Sequence, residues 1–237
     1  MSHPLRLFIA AVVGLFLWTG CTPSQFITVT ILDTPSAFVR LETDRTIDKG
    51  AGHTHPVTLT VEQMAAVLGG ITIEEPFARM PFYEDMSQPR RHRAFTEKEL
   101  AFFAPLLALA LTKATPEEVV TFYQTREISG TSREVTSGGL FVQEDAMHVI
   151  LANYRSHTHY AADLGMADTD DDRLTPMRPL APQRGRLDFE PPSARLVPTV
   201  NGLAKLFQWD RRELIVRYTL IPPRNLNTVP PANPAAR

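Results

Sequence analysis

One cysteine, Cys21, stands in 237 residues. No disulfide can therefore form within the chain, and its core must hold by burial alone. The chain also lacks Gly-x-Ser-x-Gly, Ser-x-x-Lys and a cysteine–histidine pairing outside its leader, so the local signatures of nucleophilic catalysis are missing. There is no glycine loop built to cradle phosphate and no dinucleotide fingerprint. No apolar run reaches the roughly 20 residues that a spanning helix needs. Neither sign of charge dominates, with 24 Lys and Arg against 26 Asp and Glu. Such a balance argues against a nucleic-acid or anionic-lipid surface as the main partner.

What is present begins at the N-terminus. Arg6 gives a positive start, Leu7 to Trp18 run without charge, and the small residues Thr19 and Gly20 lead into Cys21. A positive start, a short apolar run and a small-residue exit form a secretory signal. A lone exported thiol has no disulfide partner, which points to another use for Cys21. The ending Leu17-Trp18-Thr19-Gly20-Cys21 resembles the lipobox of bacterial lipoproteins, although Trp18 stands where that pattern usually has an aliphatic residue. The resemblance covers residues 1–21. It implies removal of residues 1–20, acylation of Cys21 with palmitate-type chains, and a mature chain held at a membrane of the cell envelope. Thr22 in place of Asp after the cysteine implies the outer membrane in preference to the inner. Several acyl chains are needed for stable anchoring, because one binds only marginally. The mature chain keeps 23 basic and 26 acidic residues.

Residues 21–25 form a short tether. From 26 to 155 the pattern predicts an α+β domain core. Phe26–Leu32 and Ala37–Thr43 alternate around the turn residues Asp33-Thr34-Pro35-Ser36, which predicts a hairpin. Pro56–Leu59 reads as a short strand. Thr60-Val61-Glu62-Gln63 is a capping box that opens a helix ended by Gly69-Gly70, and Ile71–Glu74 follows as a strand. Thr96-Glu97-Lys98-Glu99 is a second capping box. After it, Leu100–Leu111 carries no polar side chain, which predicts a helix buried all round, kinked or divided at Pro105. Thr115–Glu118 reads as one helical turn leading into a strand at Val119–Tyr123. Ser129–Gly139, rich in Ser, Thr and Gly, reads as a loop. Leu140–Gln143 and Met147–Arg155 form a hairpin through Glu144-Asp145.

Beyond the core, residues 156–198 combine an acidic run with six prolines between Pro176 and Pro198, and predict an irregular segment. Residues 199–221 are expected to complete the domain with a hairpin of Leu203–Trp209 against Glu213–Ile221. Residues 222–237, with five prolines, read as a disordered tail. The fold expected is antiparallel hairpins packed on one long buried helix and one shorter helix.

Two His-Thr-His tripeptides, His53/His55 and His157/His159, are the candidate metal ligands. Imidazoles at i and i+2 on a strand share a side, and two such pairs could complete a site if they met. Asp168, Asp170 and Asp172 imitate the start of a calcium loop, but Arg173 and Pro179 stand where that loop needs Gly and Glu. Glu74-Glu75 and Glu117-Glu118 are neighbours that face opposite ways on a strand, and so give no acid–base pair. Arg90-Arg91-His92-Arg93 is a basic knot, read as a solvated loop rather than an anion contact. A hydrolase with a dispersed site would need a polar cleft near 129–139.

The sequence therefore leads to a membrane-anchored envelope lipoprotein, non-enzymatic and without cofactor, acting as an accessory or scaffold that binds another envelope component. A ligand- or metal-binding lipoprotein using the histidine pairs is the alternative.

Overall fold

The computed structural model describes residues 26–47, 52–75, 89–130, 132–159, 171–183, 185–197 and 212–226. The leader with Cys21, the residues Asp168 and Asp170, the segment 199–211 and the tail from 227 lie outside them.

Strand, not helix, dominates. Of the described residues 44% are in strands and 21% in helices, which overturns the expected α+β balance in favour of a mostly-β fold. The strands are β1 (Ile27–Asp33), β2 (Ala37–Thr43), β3 (Ile71–Glu74), β4 (Arg91–Arg93), β5 (Glu118–Ser129), β6 (Ser132–Gln143), β7 (Ala146–His159), β8 (Arg186–Phe189), β9 (Arg195–Leu196) and β10 (Glu213–Val216). Two helices accompany them, α1 (Val61–Gly70) and α2 (Glu97–Lys113). One sheet runs β1-β2-β5-β6-β7-β10-β9 and a second runs β4-β3-β8. Every pairing is antiparallel.

Local chemistry accounts for the ends of both helices. The Thr60 hydroxyl accepts from the Gln63 N–H, and Gln63 Oε1 accepts from the Thr60 N–H at 2.9 Å. Thr96 and Glu99 repeat the arrangement, with Glu99 Oε2 accepting from the Thr96 N–H at 2.7 Å. Two otherwise orphaned donors are thereby satisfied at each N-terminus. Acids in the first turn of α2 and Lys113 in its last complement the helix dipole.

The large sheet is apolar on both faces. On one, Val39, Leu41, Val120, Phe122, Leu140 and Val149 meet Met64, Leu68, Leu100, Phe103 and Leu107 of the two helices in the main core. On the other, Phe38, Tyr123 and Val135 form one small cluster, and Val119, Phe141 and Ile150 form another. The chain at 171–183 covers that second face. Met177 packs against Phe141 and Ile150, Ser137 Oγ donates to the Pro176 carbonyl at 2.7 Å, and Asn153 Nδ2 donates to the Arg178 carbonyl at 2.8 Å.

Several expectations need correction. The α2 helix is continuous through Pro105 and is not buried all round: Phe102 and Leu109 are 36% and 46% exposed. Pro105 and Ala101, whose carbonyl loses its usual donor, are both exposed, so water can supply the missing bond without a break. The stretch read as a loop, 129–139, is strand, the end of β5 and most of β6. Pro56–Leu59 is not a strand, and the turn before β5 is a single hydrogen-bonded turn, Glu118 N–H to the Thr115 carbonyl at 3.0 Å. Within 156–198, expected to be irregular, β8 pairs with β3 and β9 with β10. β10 itself pairs with β7, and Tyr218–Leu220 is a 3₁₀ turn rather than a continuing strand. Among the described residues no helix is long and apolar enough to cross a membrane.

Candidate functional site

Of the two histidine pairs, His53/His55 lies in the loop that passes from β2 to α1 over the β5–β6–β7 ladder. His53 Nε2 bonds Asp44 Oδ2 at 3.1 Å, with both side chains under a tenth exposed. Its ring stacks on Phe141 at 4.1 Å, and Phe141 stacks on His148 at 4.6 Å. His148 Nδ1 in turn bonds Glu213 Oε1 at 2.7 Å. Burial alone would raise the Asp44 carboxyl, but hydrogen bonds from His53 and Thr46 outweigh it and bring its pKa to about 2.

His55 is held differently. Its Nε2 accepts from the Val142 N–H at 3.0 Å, which places the proton of the neutral ring on Nδ1. There the backbone of Thr115 and Glu118 lies nearby but outside good hydrogen-bond geometry. Burial, then the neighbouring His53, lower the His55 pKa to about 4, so the ring is neutral at pH 7. A neutral imidazole whose acceptor nitrogen is already bonded to Val142 has no lone pair left for a metal.

The second pair does not join the first. His157 Nε2 lies 3.6 Å from Glu134 Oε1 on β6, and Glu134 is seven residues along that strand from Phe141. Seven residues of strand span about 23 Å, so the two pairs cannot share one ion. Among the described residues no three His, Cys, Asp or Glu side chains come together to hold a metal.

A second polar group lies under the 171–183 segment. The β2 residues Arg40 and Glu42 share a face, and Arg40 Nε donates to Glu42 Oε1 at 2.6 Å. Thr121 Oγ1 donates to the same oxygen at 2.9 Å. Arg40 Nη2 reaches the Arg173 carbonyl at 2.6 Å. Burial raises the Glu42 pKa against the opposing pull of Arg40 and Thr121. Next to it, Phe38 and Tyr123 stack at 5.3 Å. The Tyr123 hydroxyl donates to Asp172 Oδ2 and accepts from Arg133 Nη1, each at 3.1 Å. Burial, reinforced by the Asp172 charge, raises the Tyr123 pKa. Asp172 is thus a structural acid, its carboxylate taken up by Tyr123 and Arg133, and not a calcium ligand.

The basic knot and Glu118 also meet this chain's own groups. Arg91 pairs with Asp188 and Glu190, and Arg93 with Glu97. Glu118 Oε2 accepts from the Thr115 N–H at 2.8 Å. The described residues of the 129–139 stretch belong to the ladder, with register shifts between Val135 and Gly138, and Val135, Thr136 and Ser137 are buried.

The N-terminal side of the sheet is more open. β1 is exposed over Phe26–Thr30, and among the described residues it has β2 on one side and no strand on the other. A free strand edge presents unpaired N–H and C=O groups. Neither this edge nor the exposed face of α2 was read from the sequence. The signal for the edge was its place, the first strand after the tether.

No protein-family model, no curated protein and no solved structure matches this chain.

Proposed function

We propose that the protein is an envelope lipoprotein, anchored through acyl chains on Cys21, with its β domain in the periplasm and the outer membrane favoured over the inner. In this reading it is a non-enzymatic accessory or scaffold that binds another envelope component. The observation that carries the reading is the register of Arg6, Leu7–Trp18 and the single Cys21, which stands five residues before Phe26. The tether therefore delivers the chain directly into an edge strand. Among the described residues, polar groups that could have joined a catalytic or metal centre are bonded to this chain's own groups at His53–Asp44, His55–Val142 and Tyr123–Asp172.

The open edge of β1 suits the expected partner interaction. An extended segment of another protein can add to such an edge, gaining main-chain hydrogen bonds and side-chain pockets on alternate residues. Photo-crosslinking in intact cells tests this, with the reactive residue at Thr28 or Thr30. A single discrete adduct, reduced in Cys21→Ser, is the expected result. An unchanged band pattern at both positions, with the protein at the membrane, would refute the scaffold reading at this edge.

A further inference from the structure

The apolar run of α2 buries only one of its sides. The other carries Lys98, Phe102, Pro105, Leu106, Leu109 and Lys113, which fall within an arc of about 100° at 3.6 residues per turn. Phe102, Pro105 and Leu109 are exposed and Leu106 is half-buried. A lysine closes each end of this stripe, and the two are about 22 Å apart along the axis. The first-turn acids beside it are already engaged, Glu97 with Arg93 and Arg224, and Glu99 with the Thr96 cap. An apolar centre flanked by lysines, with no free acid, is the composition of a helix lying in a membrane interface, where lysine stems follow the apolar surface and their ammonium groups reach phosphate.

The chain path brings this stripe to the anchor. The Phe26 carbonyl accepts from the Thr43 N–H at 3.0 Å, and Thr43 lies opposite Glu118, five residues beyond Lys113. The start of β1 is therefore about two strand spacings, some 10 Å, from the strand that α2 leads into. From Cys21 to Phe26 the chain can extend at most about 17 Å. Phe26 is 68% exposed and Val29 39%, so the described chain opens on exposed apolar residues.

We propose that the exposed face of α2 lies on the bilayer that holds the Cys21 acyl chains. Phe102, Leu106 and Leu109 enter the boundary between headgroups and acyl chains, and Lys98 and Lys113 meet lipid phosphates at either end. The proposal rests on the anchored reading above. The acyl chains supply the attachment, and the stripe then fixes the orientation of the domain, with the Ser129–Ser132 end of the ladder outside the lipid contact.

The test uses the full-length protein, purified from membranes and reconstituted into vesicles of phosphatidylethanolamine and phosphatidylglycerol with brominated acyl chains. In a Trp209→Phe background, which leaves no other tryptophan after residue 20, Phe102→Trp and Leu109→Trp report contact, and Ile128→Trp at the far hairpin is the control. Intact mass of each sample records whether Cys21 is acylated. With Cys21 acylated, fluorescence at 102 and 109 is expected to fall roughly two-fold relative to unbrominated lipid and to shift to shorter wavelength, with the 128 signal unchanged. Acylated protein with no quenching at either stripe position overturns this inference and leaves the anchor intact. Absence of acylation removes the anchor, and the inference falls with it. Equal quenching at all three positions also overturns it, because the domain would then have no preferred face.

Discussion

The hydroxyl of Tyr123 on β5 donates to Asp172 Oδ2 at 3.1 Å, joining the centre of the sheet to a segment 49 residues further along the chain. Arg133 of β6 closes the group, with Nη1 on the same hydroxyl and Nη2 on the carboxylate. This is how a proline-rich stretch becomes the cover of a sheet face. Tyr123→Phe leaves the buried Asp172 with one donor fewer and is expected to cost about 1–2 kcal/mol. Urea unfolding measures the loss, and faster proteolysis within 171–183 would locate it. Unchanged stability with unchanged protease resistance would contradict the role given to this contact.

Two adjacent glycines make room for neighbours on the two sides of β6. A Cβ on Gly139 would stand 2.7 Å from the Met177 sulfur, whereas one on Gly138 would overlap the Ile150 carbonyl. Met177 can shift and the β7 backbone cannot. Gly138→Ala is therefore expected to be the worse substitution, costing about 3 kcal/mol or more, against roughly 1 kcal/mol for Gly139→Ala. Thermal unfolding of the pair decides the order.

Acid should weaken the fold through His55 before it reaches the carboxylates. The native state keeps this ring neutral down to about pH 4, while the ordinary value is 6.5. Between those values the unfolded chain binds more protons, so stability is fully present above 6.5 and falls as the pH drops towards 4. The expected loss is on the order of 3 kcal/mol. Asp44, lowered from 3.8 to about 2, adds a further loss below pH 3.8, also on the acid side. His55→Gln keeps an acceptor for the Val142 N–H and should flatten the dependence between pH 6.5 and 4. A slope equal to that of the unmodified protein would rule His55 out as its source.

The turn joining β6 and β7 carries Glu144 at φ 55°, a left-handed conformation that a side chain disfavours. Glu144→Gly relieves it, and the Thr54 hydroxyl can still accept from the residue-144 N–H. A gain of about 1 kcal/mol in unfolding free energy is expected, read from a higher denaturation midpoint.

Features decided by a few neighbouring residues could be read in advance. Both threonine capping boxes, the Ile27–Thr43 hairpin and the Glu144-Asp145 turn needed only local chemistry. Ser132–Gly139 could not, because Ser, Thr and Gly favour turns in isolation. Gly138 and Gly139 belong to a strand on account of Ile150 and Met177, which reach them from other parts of the chain. The α2 helix shows the same limit. Its composition says apolar, but which side meets solvent depends on which residues pack into the core beneath it, Leu100, Phe103, Leu107 and Leu111. The histidine pairs were visible as residue types only; that His55 spends its acceptor on Val142, and that His157 lies far along the ladder, are properties of the sheet register.

The central claim is the anchor, and the most direct measurement is the intact mass of the N-terminal peptide of protein purified from membranes, run beside Cys21→Ser. The account predicts a chain beginning at Cys21 and carrying acyl chains, with the substituted protein retaining residues 1–20 or released unmodified. A membrane-derived chain that still begins at Met1, or that begins elsewhere with Cys21 bearing no lipid, would contradict it.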